Sequence, residues 1–145
     1  MARVLICALL VLLAGCTGGT GRWENDPNNW GRAFGDSTLP EGVTVVHSVY
    51  WRSKSLPRED GWIFELKLSP ERRKVLFENL KLREPKPDED HIVKLLKTAQ
   101  PSWFLPKPAA RYRITIGKGG EKSGVYTGSF EDTESGTIFL VGVGL

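Results

Sequence analysis

Apolar and polar residues alternate over several short stretches of this chain, and each such stretch predicts a strand. The strongest runs from Val43 to Arg52. One side carries Val43, Val45, His47, Val49 and Trp51, the other Thr44, Val46, Ser48, Tyr50 and Arg52. After a polar loop from Ser53 to Gly61 that contains Pro57, a second strand spans Trp62 to Leu68. Trp62, Phe64, Leu66 and Leu68 share a face there, with Glu65 and Lys67 opposite. These two strands are expected to pair antiparallel. Three more follow near the end of the chain. In the first, Tyr112, Ile114 and Ile116 alternate with Arg113 and Thr115; the second spans Lys122 to Phe130 and the third Thr137 to Val143. Turns at Gly117-Lys118-Gly119-Gly120 and Asp132–Gly136 separate them. The last strand is apolar without alternation, which predicts a central position or coverage on both faces.

Between the two groups of strands the period changes. Ser69-Pro70-Glu71 is a helix start: a serine cap, proline at the first helical position and an acid facing the positive end of the dipole. Leu76 and Leu80, with Val75 and Phe77 beside them, carry that helix to about Leu82, before Pro85 and Pro87. Asp88-Glu89-Asp90 opens a second helix with Ile92, Leu95, Leu96 and Ala99 on one face, stopped by Pro101. Ser102 to Ala110 is irregular, with Trp103 and Phe104 expected to seal one end of the core. The order ββααβββ predicts an α+β domain, an antiparallel sheet of about five strands with two helices packed on one face.

Ahead of the strands, Arg3 precedes a ten-residue apolar run from Val4 to Leu13. That run is too short to cross a membrane, which takes about 20 apolar residues; with small residues following it, it has the form of a secretory signal peptide. Leu13-Ala14-Gly15-Cys16 closely resembles the lipobox of bacterial lipoproteins. The resemblance covers the first sixteen residues and implies cleavage before Cys16 with diacylglycerol on its sulfur. Two or more acyl chains would then hold the chain stably on a membrane. Thr17, in place of aspartate, implies the outer membrane by that family's sorting rule, in a cell that has one. The expected organisation is a signal peptide over 1–15, a lipidated cysteine and Gly/Asn/Pro-rich tether over 16–42, and one domain over 43–145. Trp23, Trp30 and Phe34 do not suit a free tether; they dock on the domain or touch a partner.

Cleavage at that point leaves 130 of the 145 residues, one domain's worth, and changes the formal net charge from +3 to +2. A balance so near neutral, on an exported chain, argues against a nucleic-acid partner. Cys7 leaves with the signal peptide and Cys16 carries lipid, so the domain is expected to lack disulfides and thiolate metal sites.

Candidate chemistry is sparse. Of the two histidines, His47 lies on the apolar side of the first strand and His91 follows Asp88-Glu89-Asp90. Hard cations take several carboxylates, but acids in a helix's first turn are also explained by the dipole. Gly117-Lys118-Gly119-Gly120 lacks the spacing of a phosphate loop, and no serine sits in a nucleophile motif. No catalytic residue, metal site or cofactor is therefore assigned. Five tryptophans are more informative, because their rings fill cores, anchor protein interfaces and stack on sugars. Trp23, Trp30 and Trp103 are the candidate binding residues, with lipidation at Cys16. The expectation is a non-enzymatic, lipid-anchored envelope protein whose partner, besides membrane lipid, is another envelope protein, with an inhibitor or immunity role as one form. A small cell-wall hydrolase using His47 or His91, or a peptidoglycan-binding module, is the alternative.

Overall fold

The computed structural model describes residues 20–53, 59–98, 101–117 and 124–144. The lipobox with Cys16 and most of the Gly117–Gly120 turn lie outside the described residues.

The fold is α+β, built on one antiparallel sheet. Its strands are β1 (Gly21–Glu24), β2 (Val43–Arg52), β3 (Asp60–Leu68), β4 (Leu82–Arg83), β5 (Tyr112–Gly117), β6 (Val125–Asp132) and β7 (Ile138–Gly144). They lie in the order β1-β2-β3-β7-β6-β5-β4. Among the described residues three α-helices accompany them: α1 (Asn29–Phe34), α2 (Pro70–Asn79) and α3 (Asp90–Leu96). Among the described residues no helix is long and apolar enough to cross a membrane.

Among the described residues seven strands replace the expected five, and the helices do not share a face. α1 and α2 cover one side of the sheet, where Trp30, Tyr50, Trp62, Phe64, Leu66, Ile138 and Leu140 are buried. α3 covers the other, burying Val93 and Leu96 against Val49, Ile63, Phe130, Phe139 and Val141. The physical reason is topological. α2 leads from central β3 to β4 at the far edge, and α3 then returns over the opposite face to β5. β7 has the central place its unbroken apolar run predicts: Ile138 and Leu140 serve one core, Phe139, Val141 and Val143 the other.

The stretch expected as a tether is, from residue 21 onward, part of the fold. β1 pairs with β2 through Gly21↔Arg52 and Trp23↔Tyr50. α1 lays Trp30 against Phe64 at 5.2 Å between ring centroids, and Phe34 against Trp62 at 4.9 Å. Asn29, fully buried, ties these pieces together. Its Nδ2 donates to the Trp23 carbonyl (2.9 Å) and to Ser48 Oγ (3.1 Å), and its Oδ1 accepts from Arg32 (3.0 Å).

β2 departs from simple alternation. A bulge between Val45 and His47 shifts the register against β3 by one residue. A one-residue slip exchanges the two faces. Val43 and Val45 therefore join Tyr50 in the α1/α2 core, while Val49 and Trp51 pack under α3. The single apolar side expected for this strand is thus divided between both cores. Two tryptophans lie over glycines on the neighbouring strands. A Cβ at Gly61 would fall 2.0 Å from the Trp51 ring, and one at Gly142 would fall 2.2 Å from the Trp62 ring.

Candidate functional site

β1 stops after Glu24 because Asn25 turns into the left-handed region, at φ +50°. Asparagine tolerates that conformation because its short side chain finds local hydrogen bonds. Here the Asn25 N–H donates to the Ser48 carbonyl (2.7 Å), and Asn25 Oδ1 accepts from the Ser48 N–H (3.0 Å). Asp26 then takes the chain into α1. Its carboxylate accepts the Asn28 N–H at 2.8 Å and meets Arg32 at 3.0 Å. These contacts, the backbone hydrogen bond foremost, hold the Asp26 carboxyl below its ordinary pKa.

The turn at Asn25 leaves β2 longer than its partner. β1 pairs only with Val49–Arg52, and among the described residues no strand pairs with the outer edge of β2 from Val43 to His47. A cleft of about 450 Å³ opens beside this edge. Trp30, Leu39 and Phe64 form its apolar wall, and Asn25, Asp26 and Ser37 its polar one. Residues 43, 44, 45 and 46 all line it in succession. Successive side chains on a strand point to opposite faces, so a cavity that meets all four runs along the strand's edge and borders its backbone. Val46, at the bulge, is 38 % exposed.

The predicted binding residues divide between the two faces. Trp30 is 7 % exposed and gives the cleft its wall more than a free ring face. Trp23 is half-buried on the same side of the sheet, against Tyr50 at 5.8 Å and under the Arg32 guanidinium at 4.8 Å. Trp103 lies on the α3 side, stacked on the His47 ring with centroids 5.3 Å apart. The three rings do not form one platform. Cys16 lies outside the described residues.

Neither histidine lines the cleft. His47 faces the α3 side, where its Nε2 is 4.0 Å from a Glu65 carboxylate oxygen on β3. His91 is exposed on α3, with Nδ1 3.1 Å from the Asp88 carbonyl. Asp90 pairs with Lys94 at 2.7 Å, and Glu89 pairs with Arg83. Among the described residues no group of three or more His, Cys, Asp or Glu side chains gathers to hold a metal. Arg111, just ahead of β5, is engaged by Asp132 (3.0 Å) and Glu134 (2.9 Å).

The sequence reading missed the edge and its cleft. Two signals point to them. The Val45-Val46 doublet breaks the alternation where the bulge forms, and Asp26-Pro27 has the form of a helix start within the supposed tether. Comparison with protein-family models, curated proteins and solved structures finds no match to this chain.

Proposed function

We propose that the chain is a lipid-anchored protein of the bacterial envelope whose domain binds another envelope protein without catalysing a reaction. The partner contributes an extended segment that lies along the outer edge of β2. The observation that supports this reading is that, among the described residues, no strand pairs with the outer edge of β2 from Thr44 to His47, beside a cleft with apolar and polar walls. An exposed strand edge offers backbone N–H and C=O groups to an added strand, and pockets beside it select side chains. The lipobox residues Leu13-Ala14-Gly15-Cys16 support the address, with acylation of Cys16 as the anchor and the outer membrane as destination. Crosslinked pull-down of the full-length protein from its own envelope tests this, with Cys16→Ala as the mislocalised control. One dominant partner, lost in the control, is expected. Equal recovery of many envelope proteins from both forms would sink the proposal.

A second reading rests on the approach of His47 to Glu65. A histidine held by a carboxylate is a candidate general base for hydrolysis of wall material. Its ring, however, is stacked on Trp103 and turned away from the cleft. Substituting both histidines with glutamine would abolish a hydrolase and leave the binder's partner unchanged.

A further inference from the structure

β1 begins at Gly21, which pairs with Arg52 at the end of β2. Arg52 pairs in turn with Asp60, Gly61 with Val143 and Gly144 with Val125. These residues mark one end of the sheet. The cleft lies at the other end, where Val43 pairs with Leu68 and Leu66 with Ile138. The ten residues of β2 separate the two ends, a span of about 30 Å at the rise of an extended strand.

Four residues, 17–20, join Cys16 to Gly21. Fully extended, that connection reaches about 18 Å at most. It is too short to fold back along β2 into the chain's own cleft. With acyl chains on Cys16, it also keeps the Gly21 end within about 18 Å of the bilayer surface. Turned over, the domain would drive its cleft end into the bilayer, because β2 is longer than the connection that would have to lift it. Lying flat has little to favour it. Among the described residues the exposed large hydrophobics are Val46, Val75 and Val125, which sit on three different parts of the fold. No side therefore offers the contiguous apolar patch that would hold it against lipid. Charge does not draw the cleft end down either. Asp26, Asp36, Glu41 and Glu71 stand around it against Arg32, Lys67 and Arg72, whereas anionic bilayers attract clusters of basic residues.

We infer that the domain stands on its anchor with the Gly21 end toward the bilayer and the cleft away from it. The extended segment on the β2 edge then comes from a protein lying beyond the anchoring bilayer, not from the juxtamembrane part of one embedded beside it. This rests on the lipid-anchored, edge-binding reading given above and adds the side from which the partner arrives.

Energy transfer from the domain to the membrane surface tests the orientation. The chain's two cysteines are Cys7, which leaves with the signal peptide in that reading, and Cys16, which lipid blocks. A single introduced cysteine therefore carries the donor dye. Val125→Cys and Glu59→Cys label the anchor end, Thr44→Cys and Glu41→Cys the cleft end; all four positions are exposed. Two positions at each end keep the comparison valid if one variant fails to fold. The lipidated protein, purified from its own envelope, is added to phosphatidylcholine vesicles carrying an acceptor dye on lipid headgroups. Transfer should be several-fold stronger from positions 125 and 59 than from 44 and 41. Equal transfer from both ends, or stronger transfer from the cleft end, would overturn the inference and leave the anchor and the edge-binding reading standing. Protein that stays in solution, with its Cys16 thiol free to take the dye, would instead remove the anchor and this inference with it.

Discussion

Asn25 closes β1 onto Ser48 by hydrogen bonds in both directions, N–H to carbonyl at 2.7 Å and side-chain oxygen to N–H at 3.0 Å. With the Ser48 backbone satisfied this way, the chain can leave the sheet, and β2 continues alone toward Val43. The proposed contact edge exists because one asparagine ends its neighbour early. Beside it, α1 is held down by Asn29, whose amide spans β1, β2 and Arg32.

Asn29→Ala should therefore destabilise the fold well beyond the loss of one surface hydrogen bond. It leaves the Trp23 carbonyl and Ser48 hydroxyl without their partner in a buried place. Each such group costs roughly 1–3 kcal/mol, and a total loss of about 2–4 kcal/mol is expected by urea denaturation. A loss below half a kcal/mol would show that α1 is not held through this residue.

Gly142→Ala should be destabilising by overpacking. The added Cβ would fall 2.2 Å from the Trp62 ring, which is buried against Phe34 and Phe64. Overpacked cores lose about 1–3 kcal/mol. Gly136→Ala meets no atom within 4 Å and carries only the strain of its φ of +70°, so its loss should be smaller. Thermal melts of the two variants, with tryptophan fluorescence of the first, check the ranking.

Acid should weaken the fold between about pH 5 and pH 2. The Arg83 guanidinium, helped by the Lys86 N–H, holds the Glu89 carboxyl down to about 2. The Glu134 N–H foremost, then Arg111, does the same for Asp132, also to about 2. Both values lie below the unfolded carboxyl's ordinary pKa of about 4. The unfolded chain therefore takes up protons first as pH falls. The stability these groups contribute is fully present above the unfolded value and is lost as pH drops through the folded one. Glu89→Gln and Asp132→Asn should each lower stability at pH 7 and flatten its decline toward pH 2. An unchanged slope in both variants would contradict these assignments.

The strands of the central sheet were legible because β2, β3 and β5 carry a long alternation, β6 lies between two turn signals, and β7 shows its burial on both faces by having no alternation. The two helix starts were legible too; Ser69 does cap α2, accepting the Arg72 N–H. What could not be read were short elements without a period of their own. β1 and β4 have four and two residues, and pairing with longer strands defines them. α1 is one and a half turns in a Gly/Asn/Pro-rich stretch, and tertiary packing of Trp30 and Phe34 stabilises it more than propensity does. The bulge in β2 escaped because each half of the strand alternates well by itself. The candidate site suffered most, since the cleft is made by the missed β1 turn, the missed helix and the missed bulge together.

The measurement to make is photocrosslinking from position 44. Thr44 is exposed, lines the cleft and sits on the uncovered edge. A benzophenone amino acid placed there in the full-length protein, irradiated in its own envelope, should capture one protein. The same label at Glu78, exposed on α2, should not. The captured peptide should be an extended segment. Equal capture from both positions, or none from position 44 while the protein remains on the membrane, would contradict a partner on the β2 edge.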